Sequence, residues 1–522
     1  MQRKAAARAA AARLTGEAIQ MQQGAEMQVG LPDRTTRRII AANMAVTGLV
    51  LLLMMLYGVL MRLTQGQWLG LDADLFYQLM TMHGMGMVGA AVLGGVSIMW
   101  YFVGRHVALR PGVLVLNLAL FLIGVAMMLL AVFRGQFAGG WTFLYPLPAI
   151  SGEAWSTGAA FWFLSGTLLV GVGFLLVCLE IGRALMAAYG GLIHALGWPY
   201  LFGRPGAVVP PPVVVATAMS VVVTVAALVG GATILILSLI NLVVPGFALE
   251  PLFAKNLIYF FGHTIINATI YMAVTAVYAL LPQYTDRPWK TSRPFVAAWM
   301  GSTLMVLVIF PHHLLMDFAM PTWTMIWAQV LSYTNSFPVL IVTGLGALAI
   351  VHRSGIRWDM VSGLLLLSMF GWMAGVVPAV VDATIVVNSV MHNTLWVPGH
   401  FHFYLLLGLV FPLQAMVVPL YYVLRELGML DSLIGLILPQ IAMSMSFGTL
   451  LMRQAFVSIP KDVMEASIVD GANSWQSLWQ VMFPLSRPMV GTVGLMFFIW
   501  TWNEFMLPLV VNINPRYHTL PV

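Results

Sequence analysis

The sequence has little charge and almost no cysteine. Asp, Glu, Lys and Arg make up 8% of its 522 residues, while 60% are hydrophobic. A soluble chain carries roughly a quarter charged residues, so a soluble globular fold is excluded. The chain reads as all-α, a polytopic membrane helix bundle. Its single cysteine, Cys178, lies in the middle of an apolar run. One thiol cannot make an intrachain disulfide, a CxxC redox pair, a CxxCH attachment site for covalent haem or a cysteine-ligated cluster. Any metal must therefore be held by histidine, carboxylate or amide. The 36 methionines read as apolar filler rather than as a copper relay.

A hydrocarbon core about 30 Å thick takes roughly 20 apolar residues per helix. About 12 transmembrane helices answer to that length, near 39–63, 79–103, 113–133, 159–182, 214–244, 257–281, 295–316, 325–351, 360–387, 390–424, 430–452 and 488–511. Residues 1–38, which open MQRKAAARAAAARL and close RTTRR, read as a disordered cytoplasmic tail rather than a targeting peptide. With that tail inside, the inner loops up to residue 359 hold Arg105, Arg110, Arg183, Arg204, Arg287, Lys290, Arg293, Arg353 and Arg357. The outer side holds only Arg62, Arg134 and Lys255. This asymmetry sets the N-terminus in the cytoplasm. The net charge of +6 then belongs to inner loops facing a lipid bilayer, and no nucleic-acid partner is expected.

Seven histidines sit in apolar segments: His83, His263, the pair His312-His313, and three in His392-Asn393-Thr394-Leu395-Trp396-Val397-Pro398-Gly399-His400-Phe401-His402. Ionisable groups at bilayer depth are costly and mark functional positions. A single intramembrane histidine can equally be an interhelical hydrogen-bonding residue. The orientation above, however, puts all seven in the outer half of the membrane at similar depth. His400 and His402 are about 200° apart on a helix, so one helix can serve two partners. His263 with His312 and His313 makes a three-imidazole set suited to copper with an open coordination position. His83, His400 and His402 then suit axial haem ligation, two for a low-spin haem and one for a reactive haem.

The order of HG, GH, HH and HNTxWVPGHFH along residues 39–408 resembles the catalytic subunit I of the haem–copper oxidase superfamily. The last motif is most similar to that of the B-type oxidases. The resemblance implies two haems and one copper ion. It makes His83 and His402 the low-spin haem ligands, and His400 the axial ligand of the high-spin haem. His263, His312 and His313 become the copper ligands, and His392 a neighbour of the haem propionates. It further implies an oxidase subunit II or other electron-entry subunit as partner, cytochrome c or quinol as donor, and the plasma membrane of a prokaryote as location.

The chain departs from the oxidase pattern at one telling position. A- and B-type oxidases read GHPxVY, whose tyrosine lies four residues after the copper histidine and supplies an electron and a proton. Here Gly262-His263-Thr264-Ile265-Ile266-Asn267 puts Asn267 on that same helix face. Tyr259, one turn before His263, is the nearest substitute. Members lacking the tyrosine resemble nitric oxide reductases, so both NO and O2 stay open as acceptor, with Asn267 entered beside the ligands as a catalytic candidate. If O2 is the substrate, Asn267 is a polar interhelical contact. Thr275, Tyr278 and Ser302 are either a proton path from the inner side or helix-packing residues. Asp317 and Asp382 either serve proton exit or cap loops.

Beyond about residue 410 a different likeness begins. Glu465-Ala466-Ser467-Ile468-Val469-Asp470-Gly471-Ala472, FPLSRP and TWNEF resemble a carbohydrate ABC importer permease, in which EAxxxDGA forms the cytoplasmic helix that docks on an ATPase subunit. The domain reading is therefore 1–38 tail, 39–410 oxidase-like and 411–522 partial permease, with an ABC ATPase as possible partner at 453–487. Sidedness conflicts, because counting spans puts 453–487 outside while the coupling loop belongs inside. The run 390–424 would be about 52 Å long at helical rise, too long for one crossing and too short for two. The chain reads as a chimera of two reading frames rather than an evolved bifunctional protein. A sugar importer permease is the second functional alternative.

Overall fold

The computed structural model describes residues 32–514, except 68, 245, 318, 336, 337, 339–343, 357, 359, 393, 395, 406–427, 503, 505–507, 509–511 and 513. The disordered reading of the tail lies largely outside these residues. Where the two meet, the first helix already begins at Arg34, four residues inside the tail. No strand occurs among the described residues, and the fold is an all-α membrane bundle. Seven described helices are long and apolar enough to cross a membrane, and two bent helix pairs also pass as possible spans. The remaining spans counted from the sequence fall on helices outside those seven, among them Met360–Asp382 and Leu433–Val457, or partly outside the described residues.

Contacts divide the chain into two units, residues 1–389 and 390–522. The first contains α1 (Arg34–Gln65), α2 (Ala73–Val103), α3 (Pro111–Leu129), α4 (Thr157–Tyr189), α5 (Pro212–Val243), α6 (Pro251–Thr285), α7 (Arg293–Val308), α8 (Thr322–Thr334) and α9 (Met360–Asp382). Residue types at the starts explain these boundaries. Asp72 accepts from the Leu75 N–H, Ser156 from that of Ala159 and Ser292 from that of Phe295, each filling an orphan donor of the first turn. Pro111, Pro212 and Pro251 stand where no helical N–H is needed.

The helices are not equally buried. Most of α2, α5 and α6 is covered by other helices, whereas α1 and α3 turn most of their surface outward toward lipid. α6 packs on α5, α2 and α9, which places it at the centre of this unit. Apolar helices gain little by associating in lipid, so close backbone approach has to supply the packing. Gly124 of α3 and Gly166 of α4 provide it. A Cβ on Gly166 would lie 2.7 Å from the Gly124 carbonyl oxygen, and one on Gly124 2.5 Å from that of Gly166.

The second unit contains α10 in part (Ile385–Met391), then α11 (Trp396–Leu405), α12 (Leu433–Val457), α13 (Lys461–Val469) and α14 (Arg487–Trp502). α12 packs on α14. The contact boundary therefore falls about twenty residues before the sequence boundary at 410. It assigns the whole HNTLWVPGHFH segment to the second unit.

Gly124→Val should force α3 and α4 apart and cost about 1–3 kcal/mol. Thermal unfolding of the detergent-solubilised protein measures this. Gly171→Ala on α4, where a Cβ meets nothing within 4 Å, should leave the transition in place.

Candidate metal centre

The metal centre grows from a helix and a break in a helix. α6 carries His263 in its middle. α7 stops at Val308 because Pro311 has no N–H to give and its ring would strike the preceding turn. The chain continues as a 3₁₀ turn, Phe310–Leu314, which packs on α6 and holds His312 and His313. The two are therefore about 120° apart, as a threefold turn requires, rather than the 100° of an α-helix.

The three imidazoles converge. One ligating nitrogen from each of His263, His312 and His313 lies within 4.8 Å of the others. His263 Nδ1 is 3.2 Å from His313 Nε2, and the His312 and His313 rings are 4.3 Å apart between centroids. Ser332 of α8 orients His312. Its hydroxyl donates to the Ala328 carbonyl at 2.7 Å, so its oxygen accepts from His312 Nδ1 at 3.0 Å. That puts the His312 lone pair on Nε2. α8 is itself pinned: Gln329 accepts from the Ile385 N–H at 2.8 Å, and the Tyr333 hydroxyl meets that of Thr384 at 2.6 Å. Three half-buried imidazoles fit a copper ion.

Asn267 lies one turn below His263, as its spacing requires. Its amide donates to the His263 carbonyl at 2.8 Å and stands 3.4 Å from His263 Nε2. His263 thus shows Nδ1 to the cluster and Nε2 to the amide. Tyr259, one turn above, lies nearly parallel to His313, with centroids 5.7 Å apart and planes 18° apart.

His83 on α2 faces α1. Its Nδ1 donates to the Met54 carbonyl at 2.7 Å, which leaves the ring's lone pair on Nε2, where an axial ligand needs it. Gly58 lies against the same imidazole, where a Cβ would stand 3.1 Å from His83 Cε1. In the second unit α11 begins at Trp396, whose N–H is capped by the Thr394 hydroxyl at 3.2 Å. His402 Nδ1 donates to the Pro398 carbonyl at 2.6 Å, so its lone pair is also on Nε2. His392 and His400 are half-buried in that unit. The structure thus brings the three copper candidates together and places His83 in the same unit, while His392, His400 and His402 belong to the other.

Two residues at the site went unnoticed in the sequence. Ser332 carried no signal, being one serine of an apolar segment. Trp141 had an indirect one in the glycines of HG and GH. Its indole lies where a Cβ on Gly84 would fall, and 3.5 Å from where one on Gly262 would be. The Gly140 N–H donates to the Thr81 hydroxyl at 3.0 Å, fixing this loop on α2.

The other polar candidates bond partly within their own segment and partly across helices. Thr275 donates to the Met272 carbonyl at 2.6 Å, and Tyr278 accepts from the Trp299 indole at 3.1 Å. The Ser302 carbonyl accepts from the Tyr271 hydroxyl at 3.3 Å. Asp382 ends α9, where its carbonyl accepts from the Asn388 amide at 2.8 Å. Asp317, just past the 3₁₀ turn, pairs with Lys255 of α6 at 2.5 Å. Burial pushes the Asp317 carboxyl up, but the Lys255 ammonium and the Ala319 N–H outweigh it and hold it below the usual carboxylate value.

Ser332→Ala should weaken copper binding about 10-fold, read by competition with a chelator, while leaving the haem spectrum unchanged. A depressed Asp317 pKa means its stabilisation is complete above the unfolded carboxylate value and is lost as pH falls through the folded one. Asp317→Asn should therefore lower stability by about 1–3 kcal/mol at neutral pH. In thermal melts, its difference from wild type should stay constant from about pH 8 to 5 and shrink below about pH 4.

A family model for cytochrome C and quinol oxidase polypeptide I matches residues 38–485. That match runs past residue 408, where the motif resemblance stops. The C-terminal region resembles sugar ABC permeases. The diacetylchitobiose uptake system permease protein NgcG of Streptomyces coelicolor is 38% identical over 111 residues, 21% of this chain and 37% of that protein. The sulfoquinovosyl glycerol transport system permease protein SmoH of Agrobacterium fabrum is 41% identical over 112 residues, 22% of this chain and 39% of its own. The chain thus spans about two-fifths of the length of these curated relatives.

Proposed function

The chain belongs to the cytochrome c and quinol oxidase polypeptide I family, and from that membership we propose that it is the catalytic subunit of a membrane haem–copper reductase acting on NO. When bound, the cofactors supply electron transfer from a low-spin haem to a haem–copper centre that reduces the acceptor. By the family's pattern, His83 and His402 would hold the low-spin haem, His400 the high-spin haem, and His263, His312 and His313 the copper, with His392 assigned to the propionates. Electrons arrive from cytochrome c or quinol through a second subunit. The location is a prokaryotic plasma membrane, with the N-terminus inside.

One observation carries the preference for NO. The position one turn after His263 holds the amide of Asn267, bonded to the His263 carbonyl. An amide has no phenolic O–H to give up as an electron and a proton. Coupling two NO to N2O and water takes two electrons and two protons, which two metals and solvent can provide; splitting O2 takes four electrons. Tyr259 beside His313 is what keeps O2 as the alternative acceptor.

A second reading comes from the tail. α13, Lys461–Val469, carries Glu465 and Ala466, and Asp470-Gly471 follow it, as in the coupling loop of sugar importers. The likeness supports an ATPase-docking segment in 411–522, joined to an oxidase-like domain at 39–410.

Membranes from a haem-replete host separate the readings. A haem–copper reductase gives a two-haem reduced-minus-oxidised spectrum with a CO-sensitive part, whereas a permease alone gives none. The purified protein should consume NO and form N2O, and His312→Ala should abolish this at least 100-fold (order of magnitude for a lost metal ligand). Fast O2 turnover with NO ignored would overturn the choice of acceptor.

A further inference from the structure

We infer that Tyr259 is a positioning residue of the copper centre, its ring face setting the plane of His313. The inference rests on the metal-centre reading above and concerns this chain's own aromatic, not the ligand set.

Adjacent histidines in a 3₁₀ turn leave their backbones about 120° apart. Both rings reach one metal only if each is turned and kept turned. His312 is held by the Ser332 hydroxyl at 3.0 Å. His263 has the Asn267 amide 3.4 Å from Nε2. At His313 the neighbour is an aromatic face, with Tyr259 lying nearly parallel at 18° and 5.7 Å between centroids. This offset arrangement is attractive between π systems and restricts rotation of the imidazole about its last bond. It does so while leaving the ring's edge, where Nε2 approaches His263 Nδ1 at 3.2 Å, pointed at the cluster.

Register makes the contact reproducible. Lys255, Tyr259, His263 and Asn267 stand four residues apart on α6 and so share one face. That face meets the 3₁₀ segment and the residues just after it at successive heights, Lys255 against Asp317 at 2.5 Å, Tyr259 against His313, and His263 against both histidines. The ion pair sets how the turn lies on the helix, and the tyrosine then meets His313 one turn deeper. The face of the ring does this work, so the hydroxyl is dispensable.

The test is copper binding by the full-length, haem-loaded protein, measured by chelator competition and by Cu(II) EPR. Tyr259→Phe and Tyr259→Trp keep an aromatic face and should bind within about two-fold of wild type. Tyr259→Leu and Tyr259→Met remove it and should weaken binding about 10-fold. Their EPR should lose the coupling of one nitrogen, with the low-spin haem spectrum unmoved. Wild-type affinity in the Leu and Met variants overturns the inference. So does a Phe variant as weak as Leu, which would assign the effect to the hydroxyl. If Leu and Met both fail to retain haem, Tyr259 supports the bundle at large, which also overturns it. A wild-type chain that binds no copper refutes the centre itself and is a separate result.

Discussion

Pro311 is the constraint from which the metal centre follows. By denying α7 a backbone donor it turns the end of a membrane span into a tight 3₁₀ turn. That turn lies against α6, and the imidazoles of two elements meet within hydrogen-bond range. Two further contacts bear on that turn. The Lys255–Asp317 pair holds its far end, and Ser332 holds His312.

The bilayer dictates how this is done. With no water to satisfy polar groups, each one must find its partner inside the bundle. Most threonines and serines of the central helices donate to carbonyls a turn back on their own helix, as Ser97, Ser220 and Thr224 do. Bonds between elements include His83 to α1 and Ser332 with the 3₁₀ turn at the site, and Trp299 to Tyr278 away from it. A polar group that bonds across helices in lipid is more informative than one that bonds along its own helix.

Two boundaries fall close together around the HNTLWVPGHFH segment. Contacts separate the units at Ser389, the oxidase motifs end at His402, and the family match continues to residue 485. Of the haem-ligand candidates, His400 and His402 stand on α11 in the second unit and His83 in the first.

Much of this was legible without coordinates. Composition alone forced a helical membrane bundle, since no other plan hides so much apolar surface with so few charges. The order of the histidines marked the ligand candidates through the family it resembles, and of these His263, His312 and His313 are the ones that converge. Tertiary structure decided which nitrogen each ring presents and what turns it. Ser332 lies twenty residues from His312, Tyr259 fifty-four from His313, and Trp141 more than fifty from Gly84. These relations arise where separate helices touch. No local pattern encodes them, because lipid-facing and site-facing residues of an apolar helix look alike until a neighbour covers one of them.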